Sequence, residues 1–396
     1  MMELSKFLIQ CLGCGFQMKN GHHTSCPACR GMIDVSYPIN QVRIRKSSNP
    51  YERYSDLLPI FDESLLPNAE MTPLVKAFNL GQRFGLDNLY LKDETVNQSK
   101  STKDRMAYVS LPYLFESGVT HFCTSSTGNS STAYAQAISR FPTLKMSLLT
   151  AEDFAPRVNY SFTKQITHYG LRDANFVEAS EYVNVFAEKS GLTSEGGFFN
   201  LGRREGLKTI FFEIIDQLPK KVDWYVQAVS SAMGVYGVHK AAKEALSIGL
   251  INTMPKLLCA QQLSCSPMVK AWEEDAENIQ PSHIEKNPVG IAEAILRGNP
   301  TRAYPHVRKI VKESGGLMLS VSNQEIIFAK RMVLEDEGIT ICHAAATAVA
   351  AIYKLALKDP SIKSQNIVIN LSGGVRDIQE PSTIDRWLQR SGDTWE

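Results

Sequence analysis

Beyond residue 85, short apolar runs alternate with longer windows in which apolar positions recur at helical spacing. Leu89-Tyr90-Leu91 reads as a strand and residues 103–117 as a helix. The alternation continues with strand-like His121-Phe122-Cys123-Thr124, a helix over 129–141, and a strand at Lys145-Met146-Ser147-Leu148-Leu149. Trp224-Tyr225-Val226-Gln227-Ala228-Val229 is a strand before a helix, and Ile367-Val368-Ile369-Asn370-Leu371 a buried strand. Ser322-Asn323-Gln324-Glu325 opens another helix, because a serine cap with glutamate three residues on satisfies two backbone donors reciprocally. Strands alternating with helices predict parallel sheets covered by helices, an α/β protein. A proline-rich connector runs from Ser47-Ser48-Asn49-Pro50 through Pro59, Pro67 and Pro73, and no internal repeat interrupts the pattern.

At 396 residues the chain is long enough for two or three domains with real cores. Lys+Arg 42 against Asp+Glu 41 leaves a net charge of +1, so no global field draws the protein to nucleic acid or membrane. That balance points to work on a small molecule. No run approaches the ~18–20 apolar residues of a bilayer span. The opening MMELSKFLIQCLGC lacks the charged, apolar and cleavage regions of a secretory signal. A cytoplasmic protein is expected, with neither nucleic acid nor membrane as partner.

The cysteines divide into two groups. Cys123, Cys259, Cys265 and Cys342 are scattered and read as buried or semi-buried thiols, whereas Cys11, Cys14, Cys26 and Cys29 form two C-x-x-C knuckles. Two knuckles separated by eleven residues have zinc-ribbon spacing, since each turn presents two thiolates to one tetrahedral ion. Four thiols close such a site to substrate, so structural Zn²⁺ is expected and His22 and His23 are read as loop residues. The interleaved basic and aromatic residues of nucleic-acid-binding ribbons are missing.

Candidate chemistry gathers in five segments. Asn97-Gln98-Ser99-Lys100-Ser101-Thr102-Lys103-Asp104-Arg105 puts Lys103 at a helix start behind a turn-forming lead-in. A partly desolvated lysine there can carry a lowered pKa and attack an aldehyde, which is what pyridoxal phosphate requires of a protein. The same run also suits a solvated helix N-terminus. Ser125-Ser126-Thr127-Gly128-Asn129-Ser130-Ser131 offers donors at the carboxyl end of a strand, where α/β folds bind ligands, and equally suits a polar capped turn. Ser230, Ser231, Ala232, Met233 and Gly234 follow a strand and precede a helix, so their backbone N–H groups can approach an anion. Asn200, Arg203, Glu205, Gly206, Lys208 and Thr209 form a polar cluster before Ile210-Phe211-Phe212. Ser372-Gly373-Gly374 follows a buried strand, and a hydroxyl beside the cofactor's pyridine nitrogen would leave it largely unprotonated.

In these segments the chain resembles the threonine synthase branch of the fold-type II pyridoxal phosphate enzymes. Their N-P-T-G-S-F-K-D-R motif stands here as N-Q-S-K-S-T-K-D-R, and their S-T-G-N-T-S loop is similar to Ser126 through Ser131. N-P-x-R-x-E-G-Q-K-T corresponds to Asn200 through Thr209, A-I-R-I-G-N-P to Ala294 through Pro300, and T-G-x-G-L-K-D to the segment from Ser372 with one residue missing. The resemblance covers residues 70–380, and some members carry an N-terminal zinc ribbon.

It implies two doubly wound domains of parallel or mixed sheet with the cofactor in the cleft, beside a small N-terminal zinc ribbon. The expected division is a ribbon over 1–36, a large cofactor-binding domain over 37–94 and 191–396, and a small mobile domain over 95–190. Lys103 would bond to pyridoxal 5'-phosphate and move protons on the substrate. Asn129 would bond the ring hydroxyl oxygen, Ser230 through Gly234 would cradle the phosphate, and Ser372 would face the ring nitrogen. Ser126, Thr127 and Ser130 would grip the amino acid carboxylate, with Asn200 and Arg203 as anchors for an anionic tail. A homodimer is implied as well.

Departures fall at instructive places. Gln98, Lys100 and Thr102 replace the motif's proline, glycine and phenylalanine; Lys100 either adds a cation for an acidic substrate or points to solvent. Ser-Ser-Ala-Met-Gly is bulkier than the family's phosphate loop, and Cys342-His343 replaces a Glu-Pro pair. The expected activity is expulsion of a β- or γ-substituent, phosphate first, with addition of a small nucleophile; O-phosphohomoserine plus water is the leading substrate pair. A β-replacement enzyme or deaminating lyase acting on phosphoserine, acetylserine or serine is the alternative. A silent cofactor- or amino-acid-binding partner protein is the reading from another class.

Overall fold

The computed structural model describes residues 5–161, 163–377 and 382–396. Two compact units divide the chain: Met1–Met71 with Lys103–Thr209 and Ile378–Glu396, and Thr72–Thr102 with Ile210–Asp377.

The second unit is built on a six-stranded sheet in the order Leu317–Val321, Lys256–Gln262, Trp224–Ala228, Asn366–Leu371, Asn88–Asp93, Leu74–Lys76. Neighbours are parallel except the antiparallel edge strand Leu74–Lys76. Asn366–Leu371 is buried along nearly its whole length, as expected of a parallel strand covered on both faces. Helix His343–Lys358 is rich in alanine, and Ala345, Ala348, Ala351 and Ile352 bury with Val226, Leu258 and Ile369 in one core. The capping box at Ser322 forms as expected, opening helix Asn323–Glu337.

The first unit holds a five-stranded parallel sheet in the order Arg386–Leu388, Ile166–Leu171, Lys145–Ala151, His121–Ser125, Thr193–Ser194. Cys123, Leu149, Leu171, Tyr182 and Trp395 share its core. The helix expected over 129–141 is α-helical only at Asn129–Ala137 and tightens into a 3-10 turn at Ile138–Arg140. Helix Lys103–Glu116 meets the start of helix Leu201–Gln217 backbone to backbone: a Cβ on Gly206 would lie 2.1 Å from the Arg105 carbonyl oxygen. Only glycine permits that approach.

A small antiparallel sheet, Gln17–Met18, Leu8–Cys11 and Ile33–Ser36, forms the N-terminal lobe of this unit. It is tied down by hydrogen bonds from Tyr37 Oη to Glu205 (2.6 Å), Arg204 to the Ile33 carbonyl (2.6 Å) and Tyr113 Oη to the Gly21 carbonyl (2.7 Å). The expected α/β architecture with parallel and mixed sheets is therefore present. Among the described residues no helix is long and apolar enough to cross a membrane.

Candidate active site

In the second unit, the lysine-bearing segment leaves strand Asn88–Asp93 and pairs with the turn after strand Asn366–Leu371. Thr102 N–H donates to the Ser372 carbonyl (3.0 Å), Gly374 N–H to the Lys100 carbonyl (2.8 Å), and Ser101 bridges Gly373. Lys100 N–H turns back to the Asn97 carbonyl (2.8 Å), and its φ of +57° is left-handed. This conformation costs a side-chain-bearing residue about 1–2 kcal/mol that glycine avoids. Thr102 Oγ1 is buried and has no hydrogen-bond partner among the described residues, and Ser372 is half-buried.

Strands Trp224–Ala228 and Asn366–Leu371 are adjacent and parallel, so the loop through Ser230 and Ser231 leaves the same sheet edge as Ser372. Ala232 caps helix Met233–Ser247 at φ +59°, and as alanine it supplies no side-chain cap bond. Such an uncapped, small-residue helix start suits a phosphate. Met233 is buried. Gly234 leaves room for the amide of Gln227, which Tyr225 Oη holds at 2.7 Å and which a Cβ would meet at 2.5 Å. His343 begins helix His343–Lys358, and burial pushes its imidazole below the usual value.

In the first unit, Lys103 starts its helix half-buried. Burial, reinforced by the Arg203 guanidinium, lowers its amine to about 8. A neutral amine is thereby brought within reach of ordinary pH. Asn129 opens helix Asn129–Ala137 behind Gly128, whose φ is +114° and whose Cβ would strike Arg157 at 2.8 Å. Ser126 Oγ accepts from Gly128 N–H (3.0 Å) and Ser131 N–H (3.3 Å). Arg157 Nε donates to the Thr127 carbonyl at 2.8 Å, and Ser130 lies buried in the first helical turn.

Asn200 and Arg203 converge on Glu195, a residue the sequence patterns do not single out. Arg203 pairs with this carboxylate and donates to Tyr134 Oη (3.2 Å) and Thr124 Oγ1 (3.1 Å). Asn200 Nδ2 donates to Glu195 Oε1 (2.8 Å), as does Tyr134 Oη (2.7 Å). All five side chains are buried. A lone glutamate ahead of Gly196-Gly197 gives no sequence signal for this role.

The four knuckle sulfurs lie within 4.8 Å of one another, with Cys11–Cys29 at 3.5 Å and Cys14–Cys26 at 3.7 Å. A tetrahedron with Zn–S bonds near 2.3 Å has edges of about 3.8 Å, so the donor set fits one such ion. The backbone N–H of Cys14, with that of Gly13, favours the Cys11 thiolate and lowers its pKa to about 6.

Residues 65–373 match the family described as "Pyridoxal-phosphate dependent enzyme". The chain is similar to threonine synthase of Methanosarcina acetivorans, 30% identical over 384 residues covering 95% of this chain and 93% of the relative. Threonine synthase of Methanocaldococcus jannaschii is 31% identical over 385 residues, covering 93% of each. Cysteate synthase of Methanosarcina barkeri is 25% identical over 388 residues, covering 94% and 92%. Among solved structures, threonine deaminase isoform 2 of Solanum lycopersicum, in its processed form, aligns with a TM-score of 0.63 at 22% identity, covering 85% of this chain and 94% of that one. Maize serine racemase aligns with a TM-score of 0.63 at 20% identity, covering 78% and 91%. These two likenesses show the fold.

Proposed function

The chain belongs to the pyridoxal-phosphate dependent enzymes, among the threonine synthase-like lyases and synthases, and on that premise we propose that it converts O-phosphohomoserine and water to threonine and phosphate. The observation that supports this reading is the bond from Thr102 N–H to the Ser372 carbonyl, which fixes a hydroxyl residue beside the lysine-bearing segment. When bound, pyridoxal phosphate supplies an aldehyde for amines and a ring that spreads the charge left by a departing proton. A serine hydroxyl at the ring nitrogen suits elimination and replacement.

Lys103 would hold the cofactor and, with its amine lowered to about 8, exchange protons with the substrate α- and β-carbons. The N–H groups from Ser230 to Gly234 would bind the cofactor phosphate, and Asn129 the ring hydroxyl oxygen. Ser126 Oγ already accepts two N–H bonds, so its own proton is left to donate to the substrate carboxylate beside Thr127 and Ser130. Arg203 and Asn200, proposed at the outset as anchors for an anionic tail, would act through Glu195 and the electrostatics of Lys103. Zn²⁺ on Cys11, Cys14, Cys26 and Cys29 would be structural. A cytoplasmic homodimer in which residues 95–190 move as the smaller part completes the proposal.

The cysteate synthase likeness favours a second reading, a β-replacement enzyme, with phosphoserine first among its candidate substrates phosphoserine, acetylserine and serine. Incubation with O-phosphohomoserine and O-phosphoserine separately, following phosphate and amino acid products, decides between them. Threonine with phosphate supports the first. Phosphate from O-phosphoserine alone supports the second. Release from neither substrate overturns both.

A further inference from the structure

Five described non-glycine residues have positive φ: Arg30, Lys100, Asp173, Ala232 and Asp275. The two aspartates tolerate the left-handed region, since a short polar side chain can bond locally, and Ala232 lies in the loop suited to phosphate. Arg30 closes the tight turn of the second knuckle, its N–H on the Cys26 carbonyl at 2.9 Å, which leaves Lys100. Its conformation is dictated by its neighbours, because its N–H is held by Asn97 and its carbonyl by Gly374, both at 2.8 Å. Glycine would satisfy every one of these bonds without strain. A strained residue retained where the backbone over-determines it calls for a role of its side chain.

The Lys100 side chain is exposed, and among the described residues no carboxylate pairs with it. Its ammonium is thus unneutralised three residues before Lys103, on the backbone ladder that also carries Ser372. A compact cation with three donors in such a place recognises a doubly charged oxyanion far better than a neutral ester.

We infer that Lys100 is the specificity-determining residue for a phosphate monoester on the substrate side chain, selecting O-phosphorylated hydroxy amino acids over neutral O-acyl ones. This rests on the proposed reaction, whose cofactor-binding residues it does not touch.

Steady-state kinetics of the holoenzyme and of Lys100→Gly, Lys100→Asn and Lys100→Arg test the assignment with O-phosphohomoserine, O-phosphoserine and O-acetylserine. Lys100→Gly and Lys100→Asn should raise KM for the phosphorylated substrate by roughly 10-fold or more, the scale of one charge-assisted hydrogen bond. Kcat and the kinetics with O-acetylserine should stay within about twofold, because the reacting atoms are untouched. Lys100→Arg should keep most of the affinity, and Lys100→Gly should melt higher than the parent because strain is relieved. Unchanged KM for phosphorylated substrates, or an equal loss for phosphorylated and acetylated ones, overturns the inference. Should the parent enzyme turn over none of the three, the reaction itself is refuted. Calorimetric binding of inorganic phosphate then decides for Lys100: weaker binding in Lys100→Gly supports it and equal binding overturns it.

Discussion

The backbone N–H of Thr102 donates to the carbonyl of Ser372 at 3.0 Å, so the residue before Lys103 and the hydroxyl residue after the buried strand are held on one ladder. The side chain at position 372 is thereby positioned by backbone bonds that a substitution leaves intact. Ser372→Asp should therefore fold normally and change chemistry, since a carboxylate holds a proton on a pyridine nitrogen that a hydroxyl leaves bare. The expected result is a shifted cofactor absorption band and an altered ratio of replacement to deamination products. An unchanged band with an unchanged ratio would place the ring nitrogen elsewhere.

Lys103→Ala should lower turnover by at least the ~10²–10⁴-fold contributed by a positioned proton-transfer group, with no loss of folded secondary structure. In the parent protein, reaction of this amine with a small aldehyde should rise with pH to a midpoint near 8. Its folded pKa lies below the ordinary 10.5, so the charged form is disfavoured in the fold, and the associated stability penalty fades as pH rises from about 8 to 10.5. A midpoint near 10.5 would show the amine to be fully hydrated.

Glu195→Gln tests whether the buried carboxylate neutralises Arg203. Removing one partner of a buried pair costs ~3–5 kcal/mol by leaving the other charge uncompensated. With Arg203 unneutralised, the amine of Lys103 should titrate below its parent value. Chemical denaturation and the aldehyde titration read the two effects separately, and a stable variant with an unmoved midpoint would refute the coupling.

Parallel strands buried on both faces announce themselves as apolar runs, so Ile367 through Leu371 and Trp224 through Ala228 were legible in the sequence. The Ser322 cap was legible because its partner Glu325 lies three residues away. By contrast, Thr193–Ser194 and Arg386–Leu388 are short and partly exposed, and exist only because a neighbouring strand offers its edge. The left-handed turn at Lys100 is set by Gly374, far along the chain, and the Glu195–Arg203 pair needs the fold to bring a helix onto a sheet edge. Local pattern reads local energetics; these features are tertiary.

His168 gives the protein an acid-sensitive point. Burial pushes its imidazole down to about 4, against Asp385, which pulls the other way, and Thr150 Oγ1 holds Nε2 at 2.8 Å. Protonation thus favours the unfolded chain, and stability should be intact above about 6.5, then fall as pH drops toward 4, by a few kcal/mol in all. His168→Gln should flatten that part of the melting profile. An identical acid slope in parent and variant would assign the loss to other groups.

Metal removal should act on stability before chemistry. The knuckle lobe reaches the rest of its unit through Tyr37–Glu205, Arg204–Ile33 and His22–Ser194 contacts, none of which includes a group proposed to touch substrate. Without an ion, four sulfurs within 4.8 Å of one another, one of them favoured as thiolate, are open to oxidation. A strong chelator, or Cys26→Ser, should lower the melting temperature and release one zinc per chain, while the rate at low temperature stays near that of the untreated enzyme. His22 offers a route by which the rate could suffer, since its ring bonds the Ser194 carbonyl next to Glu195 at 2.9 Å. Loss of that bond would reach Lys103 through Glu195 and Arg203, so a rate defect by this route should appear together with a shifted Lys103 midpoint. Abolished activity with unchanged melting and an unmoved midpoint would mean that the metal takes part in the reaction.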